Sequence, residues 1–168
     1  MLKIHYAIAL AGLFASYTIA APLCEQSITS DQFDGLHKRL DNRLGNLLAM
    51  SQGLISASLN DSAAGRDSQT ILNVANDVNL VLALANSADD VLGLRDAMVN
   101  DADRRRTNEV LTRALRLLQR TAGRSAESSN KALVLMRSPA AIAEISHVRD
   151  EFANISDRLA QCAPRARQ

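Results

Sequence analysis

Apolar residues recur at intervals of three and four along most of the chain, which is the period of one face of an α-helix. The first such segment begins at Thr29 or Ser30 and is expected to end near Asn60. Thr29 and Gln32 have the spacing of a capping box, and Asp31 suits the positive end of the helix dipole. The predicted apolar stripe of this helix is Phe33, Leu36, Leu40, Leu44, Leu47, Met50 and Leu54, with Leu48 and Ile55 beside it.

The middle of the chain predicts two further helices. The polar stretch 60–68 is typical of a loop that ends in a capping serine. Beyond Ser87 the apolar stripe of the second helix is displaced around the helix axis. The helix is therefore expected either to supercoil or to break at this position. The third helix follows the polar residues 100–103, and Gly123 opens a weak polar patch at which it could also break. The two predicted stripes are Ile71, Val74, Ala75, Val78, Val81, Leu82 and Ala85, and Val110, Ala114, Leu117, Leu118 and Ala122.

The fourth helix has the clearest start. Ser138 is a capping residue, and Pro139 falls in the first turn, where its missing N–H costs nothing. The helix is expected to end near Cys162, and its stripe is Ile142, Ile145, Val148, Phe152, Ile155 and Leu159. Four such segments with short connections predict an all-α, up-down four-helix bundle, or five helices if the second or third is broken.

The first residues have the order of a secretory signal peptide, with Lys3 before an apolar run and small residues after it. Polar residues end the run before it reaches the roughly 20 apolar residues of a membrane span. We expect cleavage near Ala20 and Ala21, which leaves residues 21–168 as one domain without a transmembrane segment. The protein would then be extracellular, or periplasmic in a Gram-negative bacterium.

Charge and cysteine content refine this expectation. The chain has 19 basic and 18 acidic residues, and Lys3 would leave with residues 1–20, so the mature chain is close to neutral. A neutral chain is not expected to bind nucleic acid through its overall charge. Cys24 and Cys162 lie near the two mature termini in an oxidising compartment, which predicts a disulfide between them. An even number of antiparallel helices would bring those termini together.

Five arginines of the third helix recur at helical spacing and predict a basic ridge. Arginine binds phosphate, sulfate and carboxylate groups bidentately, so the ridge is a candidate surface for an anionic partner. The alternative is a solvated face that forms ion pairs with acidic residues of the first two helices, such as Asp77, Asp89, Asp90 and Asp96. The ridge residues are Arg106, Arg113, Arg116, Arg120 and Arg124.

Two pairs have the spacing of metal ligands on helices, namely Asp34 with His37 and Glu144 with His147. A buried dinuclear site would need all four side chains to point inward. At 100° per residue, His147 lies about 120° and Glu144 about 60° from the stripe of the fourth helix, and Asp34 about 110° from that of the first. We therefore expect no metal site and no cofactor.

The sequence also lacks the motifs of common catalytic sites, including a nucleophile elbow, a phosphate-binding glycine loop and a Cys-x-x-Cys pair. No catalytic residue is predicted. An alternative function is that of a carrier. A core of small aliphatic residues with few aromatic ones could hold an apolar small molecule or lipid between the helices. Sequons at Asn60 and Asn154 would be glycosylated only in a eukaryotic secretory pathway.

The segment from Leu40 to Leu44, Leu-Asp-Asn-Arg-Leu, resembles the opening of the first helix of secreted chorismate mutases. The resemblance implies a helical enzyme in which arginines, a lysine and a glutamine or glutamate converge on a dicarboxylate. After cleavage the only lysines are Lys38 and Lys131, and the full set has no counterpart residue by residue. The leading hypothesis is thus a non-enzymatic exported bundle that acts on another macromolecule, as an effector, inhibitor, immunity-type or envelope-associated protein. Its partner would be a protein or a cell-surface component.

Overall fold

A computed structural model describes residues 28–58 and 61–161, and all four elements in these ranges are α-helices. They are α1 (Ser30–Ser58), α2 (Ser62–Ala97), α3 (Asp101–Leu135) and α4 (Pro139–Ala160). The prediction of an all-α four-helix protein is confirmed. The breaks considered near Ser87 and Gly123 do not occur, because α2 and α3 are continuous through them.

Local capping explains where three of these helices begin. The backbone N–H of Thr29 donates to Oε1 of Gln32 at 3.3 Å, which is one half of the predicted capping box. The side chain of Asn100 accepts from the backbone N–H of Ala102 at 2.8 Å at the start of α3. Ser138 caps α4 by accepting from the N–H of Ala141 at 3.4 Å, and Pro139 is the first helical residue as expected.

The predicted loop over residues 60–68 is wrong for most of its length, because α2 already begins at Ser62. Asp61 is extended, and its carboxylate accepts from the N–H of Ala63 at 2.7 Å. This earlier cap adds nearly two turns to the helix. The polar residues in those turns have tertiary partners: the hydroxyls of Ser68 and Ser51 are 2.9 Å apart and both are buried.

Polar contacts show that neighbouring helices run antiparallel. Ser30 and Ser51 of α1 contact Asp89 and Ser68 of α2, so the start of α1 lies beside the end part of α2. Arg39 and Arg43 contact Glu151 and Glu144, which gives the same relation between α1 and α4. Helix α2 packs on α1 and α3, α3 packs on α4, and a narrower α1–α4 contact closes the bundle. In this arrangement α2 is diagonally opposite α4, with a small contact between them, and α1 is diagonally opposite α3.

The core runs through the centre of all four helices. Phe33 of α1 and Phe152 of α4 are its largest side chains, with aliphatic residues of all four helices around them. The stripes predicted for α1, α2 and α4 are buried for most of their length, with Leu44, Met50, Leu54 and Ile142 only partly buried. Burial of this apolar surface is the main term that stabilises the fold, at roughly 1.5–3 kcal/mol per large aliphatic side chain.

The stripe predicted for α3 needs a correction. Val110 and Leu117 were expected inside, yet 49% and 47% of their surfaces are exposed. The buried face instead continues through the predicted polar patch, because Ser125 and Ser129 are small enough to lie against neighbouring helices. The buried residues of α3 are Leu111, Leu115, Leu118, Ala122, Ser125, Ser129 and Ala132.

Cys24, Cys162 and the proposed signal segment lie outside the described residues. None of the four helices carries an apolar stretch long enough to cross a bilayer, within the ranges that the structure describes.

Candidate functional site

The arginines predicted to form a ridge lie on one exposed face of α3, and we call Arg106, Arg113, Arg116, Arg120 and Arg124 the arginine surface. At 100° per residue they fall within about 80° of one another around the helix. Their mean direction is about 160° from that of the buried residues of α3, so the side chains point away from the core. All five side chains are exposed, and α3 is continuous from the first of them to the last.

Ion pairing within α3 involves only the start of this face. Nη1 of Arg106 lies 3.9 Å from a carboxylate oxygen of Asp103, and Arg104 has a similar contact with Asp101. Both contacts are long and exposed. Among the residues described, no carboxylate pairs with Arg113, Arg116, Arg120 or Arg124.

The acidic residues that could have neutralised the arginine surface have other positions or partners. Asp77 is half-buried, Asp89 accepts a hydrogen bond from Ser30, and Asp96 pairs with its neighbour Arg95 at 2.7 Å. Among the described residues, no ion pair joins an acidic side chain of α2 to the arginine surface.

The arginine surface also contains apolar and acidic side chains. Val110 and Leu117 lie at the edge of this face and are about half exposed. Glu109 and Glu127 lie on the same face, and Lys131 extends it by two turns. Five arginines and one lysine against two glutamates leave this face with a net positive charge, although the net charge of the whole chain is only +1.

A second polar group joins α1 to α4. Glu144 is buried and accepts hydrogen bonds from Arg43 at 3.1 and 3.2 Å and from Asn46 at 3.2 Å. Nε of Arg39 pairs with Glu151 at 2.8 Å. Burial, followed by the nearby charge of Arg39, lowers the pKa of Arg158 beside this group. Sequence reasoning placed Glu144 beside the apolar stripe but did not find its partners on α1.

Arg43 belongs to the segment that resembles the first helix of chorismate mutases. Its guanidinium group is engaged by Glu144, and the buried charged residues of the described ranges are Asp67 and Glu144. No arginine lies in that buried set.

One of the two pairs that have the spacing of metal ligands lies beside a third residue of this kind. Asp34 and His37 of α1 lie beside Asp89 of α2, and one ligand atom from each falls within 4.8 Å of the others. Glu144 and His147 do not form such a group, because Glu144 is held by Arg43 and Asn46 and His147 is exposed. The sequence could not identify Asp89, which is 52 residues from His37 and shares no local motif with it.

Comparison of the chain with protein-family models, with curated proteins and with solved structures finds no match. The chemistry of these side chains is therefore the basis for a functional hypothesis.

Proposed function

We propose that this protein is an exported, non-enzymatic helical bundle that binds an anionic macromolecule, either an acidic protein or a cell-surface component, through the arginine surface. The observation that carries the proposal is the set of four neighbouring guanidinium groups without a carboxylate partner among the described residues. Because the positive charge is concentrated on one face of a chain that is nearly neutral overall, the electrostatic potential favours approach of an anionic partner to that face.

The composition of the surface suits binding to a macromolecule better than binding to a small ion. Arginine forms bidentate hydrogen bonds with oxyanions and also tolerates partial burial in an interface. The half-exposed Val110 and Leu117 would add apolar contact beside the charged groups. Arginine is among the residue types that contribute most to binding at interfaces.

Export is part of the proposal and has its own test. We infer cleavage near Ala20 and Ala21 from the residue order of the first segment. Expression of the full chain in an exporting host, followed by N-terminal sequencing of the exported product, should give a new terminus at Ala21. A product that stays in the cytoplasm with its first residues intact would contradict export.

The disulfide between Cys24 and Cys162 is also proposed. It is supported by the antiparallel register of α1 and α4, which places the start of one helix beside the end of the other. Cys24 precedes the first residue of α1 by six positions and Cys162 follows the last residue of α4 by two. Mass spectrometry without reductant should show a mature chain two hydrogens lighter than the reduced chain, whereas two free thiols would exclude the bond.

Binding can be tested with a variant that removes charge from the arginine surface. The variant Arg113→Gln, Arg116→Gln, Arg120→Gln changes three exposed side chains and leaves the buried face of α3 intact. Its matched control is Lys38→Gln, Arg66→Gln, Arg137→Gln, which removes the same charge from exposed positions elsewhere. Both would be compared with the unmodified protein for retention on envelope fractions and on an immobilised acidic protein.

The expected result is retention of the unmodified protein and of the control, and loss of at least tenfold in affinity for the arginine-surface variant. Binding should weaken as salt is raised, because exposed charges are screened. Equal binding by the two variants would overturn the proposal. A lipid that remains bound in native mass spectrometry, together with unchanged surface binding, would instead support the apolar-ligand alternative.

A further inference from the structure

The N-terminal part of α1 and the C-terminal part of α2 bring together a histidine and two aspartates. Asp34 and His37 are three residues apart and so share one face of α1. Asp89 comes from the antiparallel neighbour, and the three candidate ligand atoms lie within 4.8 Å of one another. We propose that these three residues form a binding site for one divalent first-row transition-metal ion, for which Zn²⁺ is a suitable probe.

The environment of His37 is the second observation. Its Nε2 is withdrawn from solvent and has no hydrogen-bond partner among the described residues. A buried polar atom without a partner costs roughly 1–3 kcal/mol, so histidines inside proteins are normally hydrogen-bonded or coordinated. This ring is therefore not explained as an ordinary hydrogen-bonded core histidine.

Neighbouring side chains hold two of the ligands in place. The ring of His37 stacks on Phe33, with centroids 6.2 Å apart and planes inclined by 28°. The hydroxyl of Ser30 donates to Asp89 at 3.1 Å. A fixed imidazole and an oriented carboxylate are the features that raise metal affinity, because less freedom is lost on binding.

The ligand set selects the class of ion. One imidazole nitrogen and two carboxylate oxygens suit Zn²⁺ and similar transition ions, whereas Ca²⁺ and Mg²⁺ prefer oxygen ligands throughout. With bonds of about 2.0–2.2 Å, ligand atoms of a tetrahedral site are roughly 3.4 Å apart. Rotation of the exposed Asp34 side chain can bring its carboxylate oxygen closer to the other two ligand atoms. Three protein ligands would leave a fourth position for water or for a group of a partner.

Charge balance also favours a divalent cation. The two aspartates carry two negative charges, and a neutral imidazole adds none, so a divalent ion makes the site neutral. The sequence pattern had excluded a dinuclear site inside the bundle, and the site inferred here is different. It is mononuclear, lies at the surface of the α1–α2 contact and uses none of the residues of the arginine surface.

The test is titration of the full chain with Zn²⁺ by calorimetry and with Co²⁺ by visible absorption. We expect saturation at one ion per chain and a Co²⁺ spectrum without the near-ultraviolet charge-transfer band of a thiolate ligand. Asp34→Asn, His37→Gln and Asp89→Asn should each weaken binding at least tenfold, and Ser30→Ala should weaken it less. Asp34→Asn separates loss of metal binding from loss of folding, because Asp34 is exposed and its replacement leaves Phe33 and His37 in place.

The matched controls are His147→Gln and Asp90→Asn, which replace an exposed histidine and the exposed neighbour of Asp89. Both should bind Zn²⁺ as the unmodified protein does. The proposal is overturned if Zn²⁺ does not bind at millimolar concentration, or if the control variants lose binding to the same extent. A Co²⁺ spectrum with a thiolate band that disappears in Cys24→Ser, Cys162→Ser would also overturn it, by assigning the ion to the cysteines.

Discussion

At the scale of single residues, buried polar side chains link specific pairs of helices. Ser51 and Ser68 join α1 to α2 through their hydroxyls, and Asp67 accepts from the backbone N–H of Arg137 at 3.3 Å. Glu144 joins α4 to α1. A buried polar group is costly without its partner, so each contact favours one register over its neighbours.

Glu144 should matter more to stability than the neighbouring Glu151. The side chain of Glu144 is 8% exposed, whereas Arg39 in the Arg39–Glu151 pair is 47% exposed and well screened. We expect Glu144→Gln to lower the free energy of unfolding by about 1–3 kcal/mol, because it leaves the half-buried Arg43 without its counter-charge. Glu151→Gln should cost less than about 1 kcal/mol. Urea unfolding of both variants measures the difference, and equal losses would contradict this ranking.

Asp77 should make stability dependent on pH in the acid range. Burial raises the pKa of Asp77 above its ordinary value, and the hydrogen bond from Ser128 opposes this in part. Since the folded state then binds the proton more tightly, the contribution of Asp77 to stability is greatest below the unfolded pKa. It declines as pH rises from about 4 through the folded pKa.

The variant Asp77→Asn removes this dependence. The difference in free energy of unfolding between Asp77→Asn and the unmodified protein should therefore shift in favour of the variant as pH rises from 3 to 7. Urea unfolding at several pH values measures it. A difference that is constant over this range, or that shifts the other way, would show that the pKa of Asp77 is not raised.

At the scale of the elements, the helices are long and their caps define their starts. Local signals predicted the starts of α1 and α4 within a residue, because a capping side chain and the following helix are neighbours in sequence. The start of α2 was misplaced because 60–68 contains many turn-forming residues. In the structure, Asp61 caps the helix first, and tertiary contacts of Ser68 stabilise the extra turns.

The close approach of α3 and α4 predicts different effects of alanine at two helical glycines. A Cβ on Gly45 would meet no atom within 4 Å, so Gly45→Ala should raise the free energy of unfolding by about 0.5–1 kcal/mol through helix propensity. A Cβ on Gly123 would lie 3.2 Å from the hydroxyl oxygen of Ser156. We therefore expect Gly123→Ala to raise the free energy of unfolding less than Gly45→Ala does, or to lower it.

Replacing Ser156 distinguishes the close contact with its hydroxyl from the effect of alanine on helix propensity. The variant Gly123→Ala, Ser156→Ala should recover the gain relative to Ser156→Ala alone, because the tight hydroxyl is absent. Thermal and urea unfolding of the four variants provide the comparison. If Gly123→Ala stabilises as much as Gly45→Ala, the helices are not as close at this point as the structure has them.

At the scale of the whole molecule, the α1–α4 contact closes the bundle and is less extensive than the contacts between consecutive helices. The proposed Cys24–Cys162 bond would restrain the same pair of helices. It closes a loop of well over 100 residues, and in the chain-entropy model such a bond stabilises by roughly 4–5 kcal/mol.

Reduction should therefore lower the midpoint of urea unfolding strongly, and Cys24→Ser, Cys162→Ser should match the reduced protein. The comparison uses chemical unfolding with and without reductant. An unchanged midpoint would mean that the helices alone supply the stability, even if the bond forms.

The sequence by itself determined the helical class, the four helical segments and the starts of α1 and α4, because each depends on residues less than a few turns apart. Only the tertiary structure decided which face of α3 is buried, since a serine such as Ser125 is buried when a neighbour lies close enough. It also decided that Asp89 joins Asp34 and His37, and that Glu144 meets Arg43. These pairs are distant in sequence, and their separation in space depends on how the helices pack.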